Sequence, residues 1–527
     1  MSDYLLPDGM TAAAASRALA DKLAVSNGSA RICARCYYDT FDGLLHAAGL
    51  TAVWEEGQLA LVEPDSDRVR ARATIGKPTK PLLASDLRGG PLCDALKPLI
   101  DVRALLPLVE IRCRERPLDV LDGERKTVVR LRVQQPALGQ PDDAAAGHSG
   151  RAGRRARGKA VRLPLRVHVT AVRGYDKALT RVAHTLENEL GFKPATRPLL
   201  DEAVAASGAE PGGTQAKIRV AMTRSERADR AAAAVLRALL RVIELNLPGT
   251  LADLDTEFLH DLRVSVRRTR AVQRELRGVF PPAELSRFRE EFRWLQQATG
   301  EVRDLDVYVL DFEEMRALVP ERVRPDLEPL LDALRARHTA ARRRMVRALR
   351  AERSSKLLAE WGGLLDGLES LPVQERPDAT LPIAAVAGGR IATVYRRMVR
   401  MGEAIGPDSP STDYHELRKQ GKELRYLLEL FGGPLFPDEV VRAMIRALKA
   451  LQDVLGRHQD REIQVTMLRS LGPELSAASD GPSALMAMGM LVERLEEDQQ
   501  AARSAFAPRF AAFASRHQRK LVKETFR

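Results

Sequence analysis

Apolar and polar positions follow two different periods along this chain. In the first two hundred residues, short segments alternate with a period of two, at Arg31–Tyr38, Gln58–Glu63, Arg68–Ile75, Leu108–Glu115, Thr127–Gln134 and Leu163–Arg173. Alternation turns one face of each segment inward, and stretches rich in Gly, Pro and Asp separate them, so they predict an antiparallel sheet or barrel. A helix, Lys177–Leu190, follows the last strand. Pro136–Lys159 interrupts the pattern and ends in the basic run RAGRRARGK, which reads as a surface loop. Ser207–Gln215 (SGAEPGGTQ) reads as a linker. Beyond it the helical period dominates, with breaks expected near Pro248, Pro281, Pro320, Pro372, Pro407, Pro437 and Pro473. The pattern predicts an α+β multidomain chain, with an antiparallel sheet or β barrel over residues 1–206, a linker over 207–216 and an all-α domain over 217–527.

The helical part repeats itself. HDLRVSVRRTR starts at His260, and HELRKQGKELRY starts at His415, 155 residues later. LQQATGEVRDLDV with Asp304 is echoed by LQDVLGRHQDREI with Asp460, 156 residues later. Two similar helical units follow, about 217–371 and 380–527.

Each unit carries a cationic stripe. His260, Arg263, Arg267, Arg270 and Arg274 are spaced by three and four, which keeps them on one helix face. His415, Arg418, Lys422 and Arg425 repeat that spacing. An apolar stripe (Leu259, Leu262, Val266, Leu276, Phe280, and Tyr414, Leu417, Leu424, Leu428, Phe431) runs one residue ahead, about 100° away, so the cations border a packed face. Like charges at i, i+4 cost roughly 0.2–0.5 kcal/mol per pair, and a merely solvated face mixes signs. A nearly unmixed stripe calls for an anion, and Arg suits phosphate through planar, bidentate contacts. The first stripe spans fourteen residues, or about 21 Å of helix, a length that fits a polymer better than a single phosphate. Asp304 and Asp460 are expected to hold basic side chains by ion pairs, with metal ligation as the alternative.

Composition agrees. The 527 residues hold 83 Lys and Arg against 71 Asp and Glu, a formal charge of +12, which favours a polyanionic partner. No apolar run approaches the roughly 18 residues of a membrane span, and no secretion signal is read at the N-terminus. The four cysteines, Cys33, Cys36, Cys93 and Cys113, do not suggest a disulfide scaffold and fit a reducing cytoplasm. Cys33 and Cys36 form a C-x2-C pair, but on a strand that spacing places them on opposite faces, which disfavours zinc.

The strings HDLRVSVRRTR, LQQATGEVRDLDVYV and HELRKQGKELRYLLELF resemble the conserved-histidine α-helical domain, CHAD, over roughly Lys217–Arg527. The resemblance implies two four-helix bundles related by a pseudo-twofold, with inorganic polyphosphate bound in a basic cavity between them. It carries over to His260, Arg263, Arg267 and Arg270, with His415, Arg418, Lys422 and Arg425; Arg274, Arg303 and Lys419 complete the expected set. In the second unit RHQD replaces the VRD form, and Gln459 stands in the place of Arg303, which weakens that cluster. The implied location is the cytoplasm, in association with polyphosphate granules.

The N-terminal part resembles the CYTH, or triphosphate tunnel, domains through CYYDTFDGLLHAAGLTAVWEEGQLAL and LRVHVTAVRGYDKALTRVAHTLENEL. Tunnel enzymes hold a divalent metal on alternating glutamates. Here no such Glu-x-Glu-x-Lys strand is found, and Val167, His168, Val169 and Thr170 occupy the last strand. Glu110 and Glu115, five apart, do not share a strand face. The expectation is a polyphosphate-binding chain with no catalytic residues, metal or cofactor and no membrane partner. Two alternatives are a metal-dependent triphosphatase and nucleic-acid binding; against the latter, aromatic residues do not interleave with the stripes.

Overall fold

The computed structural model describes residues 2–64, 68–139, 161–214, 218–406, 408–477 and 480–526. The basic run Arg151–Lys159 and Pro407 lie outside the described residues. Two compact units divide the chain, Met1–Ala216 and Lys217–Arg527.

The first unit is a curled antiparallel sheet, a half-barrel. Its strands are β1 (Ser2–Leu5), β2 (Val25–Asn27), β3 (Arg31–Asp39), β4 (Thr51–Glu55), β5 (Gln58–Glu63), β6 (Arg68–Thr74), β7 (Leu106–Leu121), β8 (Thr127–Leu138), β9 (Arg166–Ala171) and β10 (Lys193–Pro194). The order is β10-β1-β9-β8-β7-β3-β4-β5-β6, with β2 also pairing β7. The helices are α1 (Ala12–Lys22), α2 (Leu44–Ala47), α3 (Pro91–Ile100), α4 (Asp176–His184) and α5 (Leu199–Ala206). α1 and α4 cover Leu131, Val133, Val167 and Val169, and α3 covers Tyr38, Leu59 and Leu61. α5 packs on the opposite, inner face against Tyr37, Val109 and Ile111. β7 outruns its predicted end at Glu115 because Pro117 falls in the gap between two partners. β3 pairs up to Glu115, and β2 begins at Leu118, so the missing proline N–H costs no ladder bond there. Gly28 closes that gap by donating its N–H to the Pro117 carbonyl (3.0 Å); a Cβ at 28 would lie 2.5 Å from Pro117 Cγ.

The second unit is all helical. Its first repeat holds α6 (Ala228–Ala252), α7 (Thr256–Glu275), α8 (Pro282–Ala298), α9 (Gly300–Leu310), α10 (Phe312–Ala317), α11 (Glu328–Arg350) and α12 (Glu352–Gly367). The second holds α13 (Ile383–Glu403), α14 (Ser411–Leu427), α15 (Gly433–Leu435), α16 (Asp438–Ser476), α17 (Gly481–Ser504), α18 (Phe506–Phe513) and α19 (Arg516–Thr525). The 39-residue α16 does in one piece what α8 and α9 do in two. Breaks were expected near Pro248 and Pro473, yet α6 and α16 run past them. Each proline forfeits one backbone hydrogen bond, but only three or four helical residues follow it, so any kink falls at the helix end and leaves the packed length intact. One apolar core, from Ala228 to Phe526, runs through both repeats. Among the described residues no helix is long and apolar enough to cross a membrane.

Candidate functional site

α7 begins where the Asp255 carboxylate accepts the free amides of Glu257 (2.9 Å) and Phe258 (3.3 Å). Burial of Leu259, Leu262 and Val266 then fixes its rotation and leaves Arg263, Arg267 and Arg270 along the edge of the packed face. On α14, burial of Tyr414, Leu417 and Leu424 does the same for Arg418 and Lys422. α7 packs against α14, so the two stripes meet.

Lys422 shows how closely. Burial, then the charges of Arg418 and Arg267, push its ammonium down to about 8; Asp460 opposes the shift and Arg263 adds to it. A cation of the second repeat is thus felt by two cations of the first. Burial pushes the Arg263 guanidinium down to about 10, with Asp304 opposing and Arg267 and Arg303 assisting. Arg263 is held by the Gln296 carbonyl (2.8 Å) and the Thr299 hydroxyl (2.9 Å). Asp304 is itself raised by burial against the pull of Arg263, Arg267 and Arg303.

The second repeat positions its cations differently. Arg418 donates to Gln459 Oε1 (2.8 Å) and to Asp460 (3.0 Å). The Gln459 amide also meets His415 Nδ1. Burial and then Lys419 lower the His415 imidazole, so it is a neutral hydrogen-bonding group at neutral pH. Gln459 therefore replaces the charge of Arg303 with an amide that orients two neighbours. Arg303 stays near the Thr256 carbonyl and Glu257, both at 3.5 Å. His260 lies half-buried on α7, one turn before Arg263.

Other stripe members are drawn elsewhere. Arg274 pairs with Glu423 (2.6 Å), and Arg425 with Glu429 (2.6 Å), which also takes Arg268 (2.7 Å). Lys419 pairs with Glu416 (2.7 Å), with 51% of its side chain exposed. Arg270 meets a cluster the sequence reading missed. Together with Ser286, Arg289, Glu290 and Arg293 it lines a cavity of about 380 Å³. Burial, then Arg274, Arg293 and Arg289, lower its guanidinium. Arg289 and Arg293 stand four apart on α8, but Glu290 and Glu291 between them disguise the pair as a mixed surface.

Beside Arg274, two glutamates are buried, Glu275 at 3% and Glu423 at 5% exposure. Arg390 binds Glu275 (2.6 Å). Burial pushes Glu423 up to about 7, and Glu275 adds to the shift against Arg274. A carboxyl raised in the folded state stabilises below its unfolded pKa, and that contribution is lost as pH climbs through about 7. Glu423→Gln, a mimic of the protonated acid, is expected to gain about 1–3 kcal/mol at pH 8 and almost nothing at pH 4. Denaturant midpoints at the two pH values measure this.

In the first unit the inner face of the sheet bounds a groove of about 960 Å³, lined by Asp3, Arg31, Arg35, Glu55, Arg132 and His168 among others. Two of its lining carboxylates, Asp3 and Glu55, are already engaged. Asp3 binds His168 (2.7 Å) and Arg166 (3.1 Å); burial would raise its carboxyl, but these partners hold it below the usual value. Glu115 is met by the Gln134 amide (2.7 Å) and Arg35 (3.5 Å), and Arg35 also binds Glu55 (3.1 Å). Glu110 faces the other way, bound to Lys77 (2.8 Å). Among the described residues no three His, Cys, Asp or Glu side chains gather as metal ligands. The donor set does not fit the divalent metal of a tunnel enzyme.

Comparison with known proteins matches residues 234–469 to the model of the CHAD domain. Two uncharacterised proteins of Mycobacterium tuberculosis, from different strains, are 31% identical over 211 residues. That match spans 38% of this chain and 38% of the length of each curated relative. A crystal structure of the CHAD domain from the plant Ricinus communis is similar at 24% identity and a TM-score of 0.44, covering 55% of this chain and 95% of that one. PptA from Streptomyces chartreusis is similar at 18% identity and a TM-score of 0.41, covering 54% and 99%.

Proposed function

Residues 234–469 of this chain are a CHAD domain, a family linked to polyphosphate binding, and from that premise we propose that its cationic seam binds inorganic polyphosphate. One observation carries the reading: α7 packs against α14, with Arg263 and Arg267 of one and Arg418 and Lys422 of the other along the edge of the buried apolar stripes. Cations packed this closely without enough carboxylates repel one another, and a chain of phosphates supplies the missing charge at regular intervals. Arg270, Arg289 and Arg293 extend the path beyond the seam. Fluorescence titration of the full chain with long polyphosphate, tripolyphosphate and single-stranded DNA at one salt concentration tests this. Long polyphosphate should bind tightest, and its affinity should fall as salt rises. Equal or tighter binding of DNA would move the reading to nucleic acid.

The N-terminal half-barrel supports a second part of the proposal: a tunnel-type scaffold that does not hydrolyse triphosphates. Its inner carboxylates are neutralised by Arg31, Arg35, Arg166 and His168 instead of being free for a metal. Full-length protein with magnesium and tripolyphosphate or ATP should release no phosphate above a buffer blank. Magnesium-dependent turnover would overturn it.

A further inference from the structure

We propose that Cys33 and Cys113 are a reversible redox pair, which a small hydroperoxide closes into a cross-strand disulfide on the inner face of the N-terminal sheet. The two residues are directly opposed in the β3–β7 ladder. Direct opposition in an antiparallel pair sets the Cα separation at about 4.5–5.5 Å. A disulfide needs about 4.4–6.8 Å, so the bond asks for no movement of the backbone. The Cys33 Sγ–H already points across the ladder, donating to the Cys113 carbonyl at 3.5 Å. Cys36, the nearer cysteine in sequence, faces the other way, opposite Glu110 and Trp54.

The surroundings divide the work between the two sulfurs. The Cys113 thiol lowers the Cys33 thiol, burial and the Glu115 charge oppose that shift, and Arg35 assists it. Its bond to Cys33, then burial, push the Cys113 thiol up. Cys33 is the more exposed of the two and shares its strand face with Arg35, so it takes the first attack and Cys113 resolves. Exposures of 4% and 2% keep out an oxidoreductase, so the oxidant has to be a small molecule. The Cys33 thiolate attacks one oxygen of hydrogen peroxide, the O–O bond breaks, and the departing hydroxide takes a proton as water. Cys113 sulfur then attacks the resulting sulfenic acid; the S–O bond breaks, the S–S bond forms and a second water leaves. Two thiols lose two protons and two electrons, and one peroxide becomes two waters. A dithiol reverses the step. The closed bridge ties β3 to β7 beside Arg31 and Arg35 at the groove, independently of polyphosphate binding.

The test uses the full chain, first reduced, then exposed to hydrogen peroxide, alkylated, digested and mapped by mass spectrometry without reductant. The expected product is one linked peptide pair joining Cys33 to Cys113, absent after dithiothreitol and still formed in Cys36→Ala. The N-terminal melting transition should rise by several degrees on oxidation, because the bridge restricts the unfolded chain. A Cys33–Cys36 or Cys36–Cys93 link, a link between two chains, or Cys33 and Cys113 both remaining alkylatable would overturn the proposal.

Discussion

Alanine at Arg263, Arg267 and Arg270 together is expected to weaken polyphosphate binding by a thousandfold or more, and Arg418→Ala with Lys422→Ala to weaken it nearly as far. Charge-assisted hydrogen bonds contribute about 1.5–3 kcal/mol each, so three lost contacts exceed about 4 kcal/mol. The sum is an upper bound, since Lys422 feels both Arg267 and Arg263 and contacts in one network do not add. Arg425 and Lys419 belong in a control variant, because Glu429 and Glu416 already hold them. Replacing those two should cost less than tenfold. Circular dichroism confirms that each variant keeps its helices. Folded variants of either stripe that bind like the parent would show the seam to be solvated surface.

Lys422→Met should stabilise the protein while weakening its binding. The folded-state pKa of about 8 lies below that of an unfolded lysine. A depressed ammonium penalises the fold wherever it is charged, fully below about pH 8, and the penalty fades as pH rises toward the unfolded value. Its removal is worth up to about 3 kcal/mol at pH 7, a rise of several degrees in Tm for the helical unit. Bound phosphate restores the ammonium, so binding should take up as much as about half a proton at pH 8, and affinity should fall at higher pH. Calorimetry in two buffers of different ionisation enthalpy reads that proton. No uptake by the parent, or equal uptake by Lys422→Met, would remove Lys422 from the site.

Strong signals in the sequence are those that repeat. β5 spans Gln58–Glu63 as the alternation predicts, and the buried stripe Leu259, Leu262 and Val266 lies on α7 as the helical period predicts. Weak signals are short or interrupted. β1, β4 and β10 have four, five and two residues, too few for a period to show. The Ala-rich α1 gives no period, because alanine marks neither the buried nor the exposed face of a helix. On α14, the spacing of Arg418, Lys422 and Arg425 gives all three one face, but it does not say that Glu429 draws Arg425 away.

The sequence by itself determined the two periods, the 155-residue repeat and the matching cationic stripes. Each depends on spacing within a single helix or strand, where backbone geometry ties position to direction. The tertiary structure alone decided which side chains meet across elements. It set Lys422 among Arg263, Arg267 and Arg418, joined Arg289 and Arg293 to Arg270, and gave the inner carboxylates Asp3 and Glu115 to arginines and a histidine. It also set Cys113 opposite Cys33, eighty residues away. Such partners are fixed by packing of distant segments and by ladder register, and no local period encodes either.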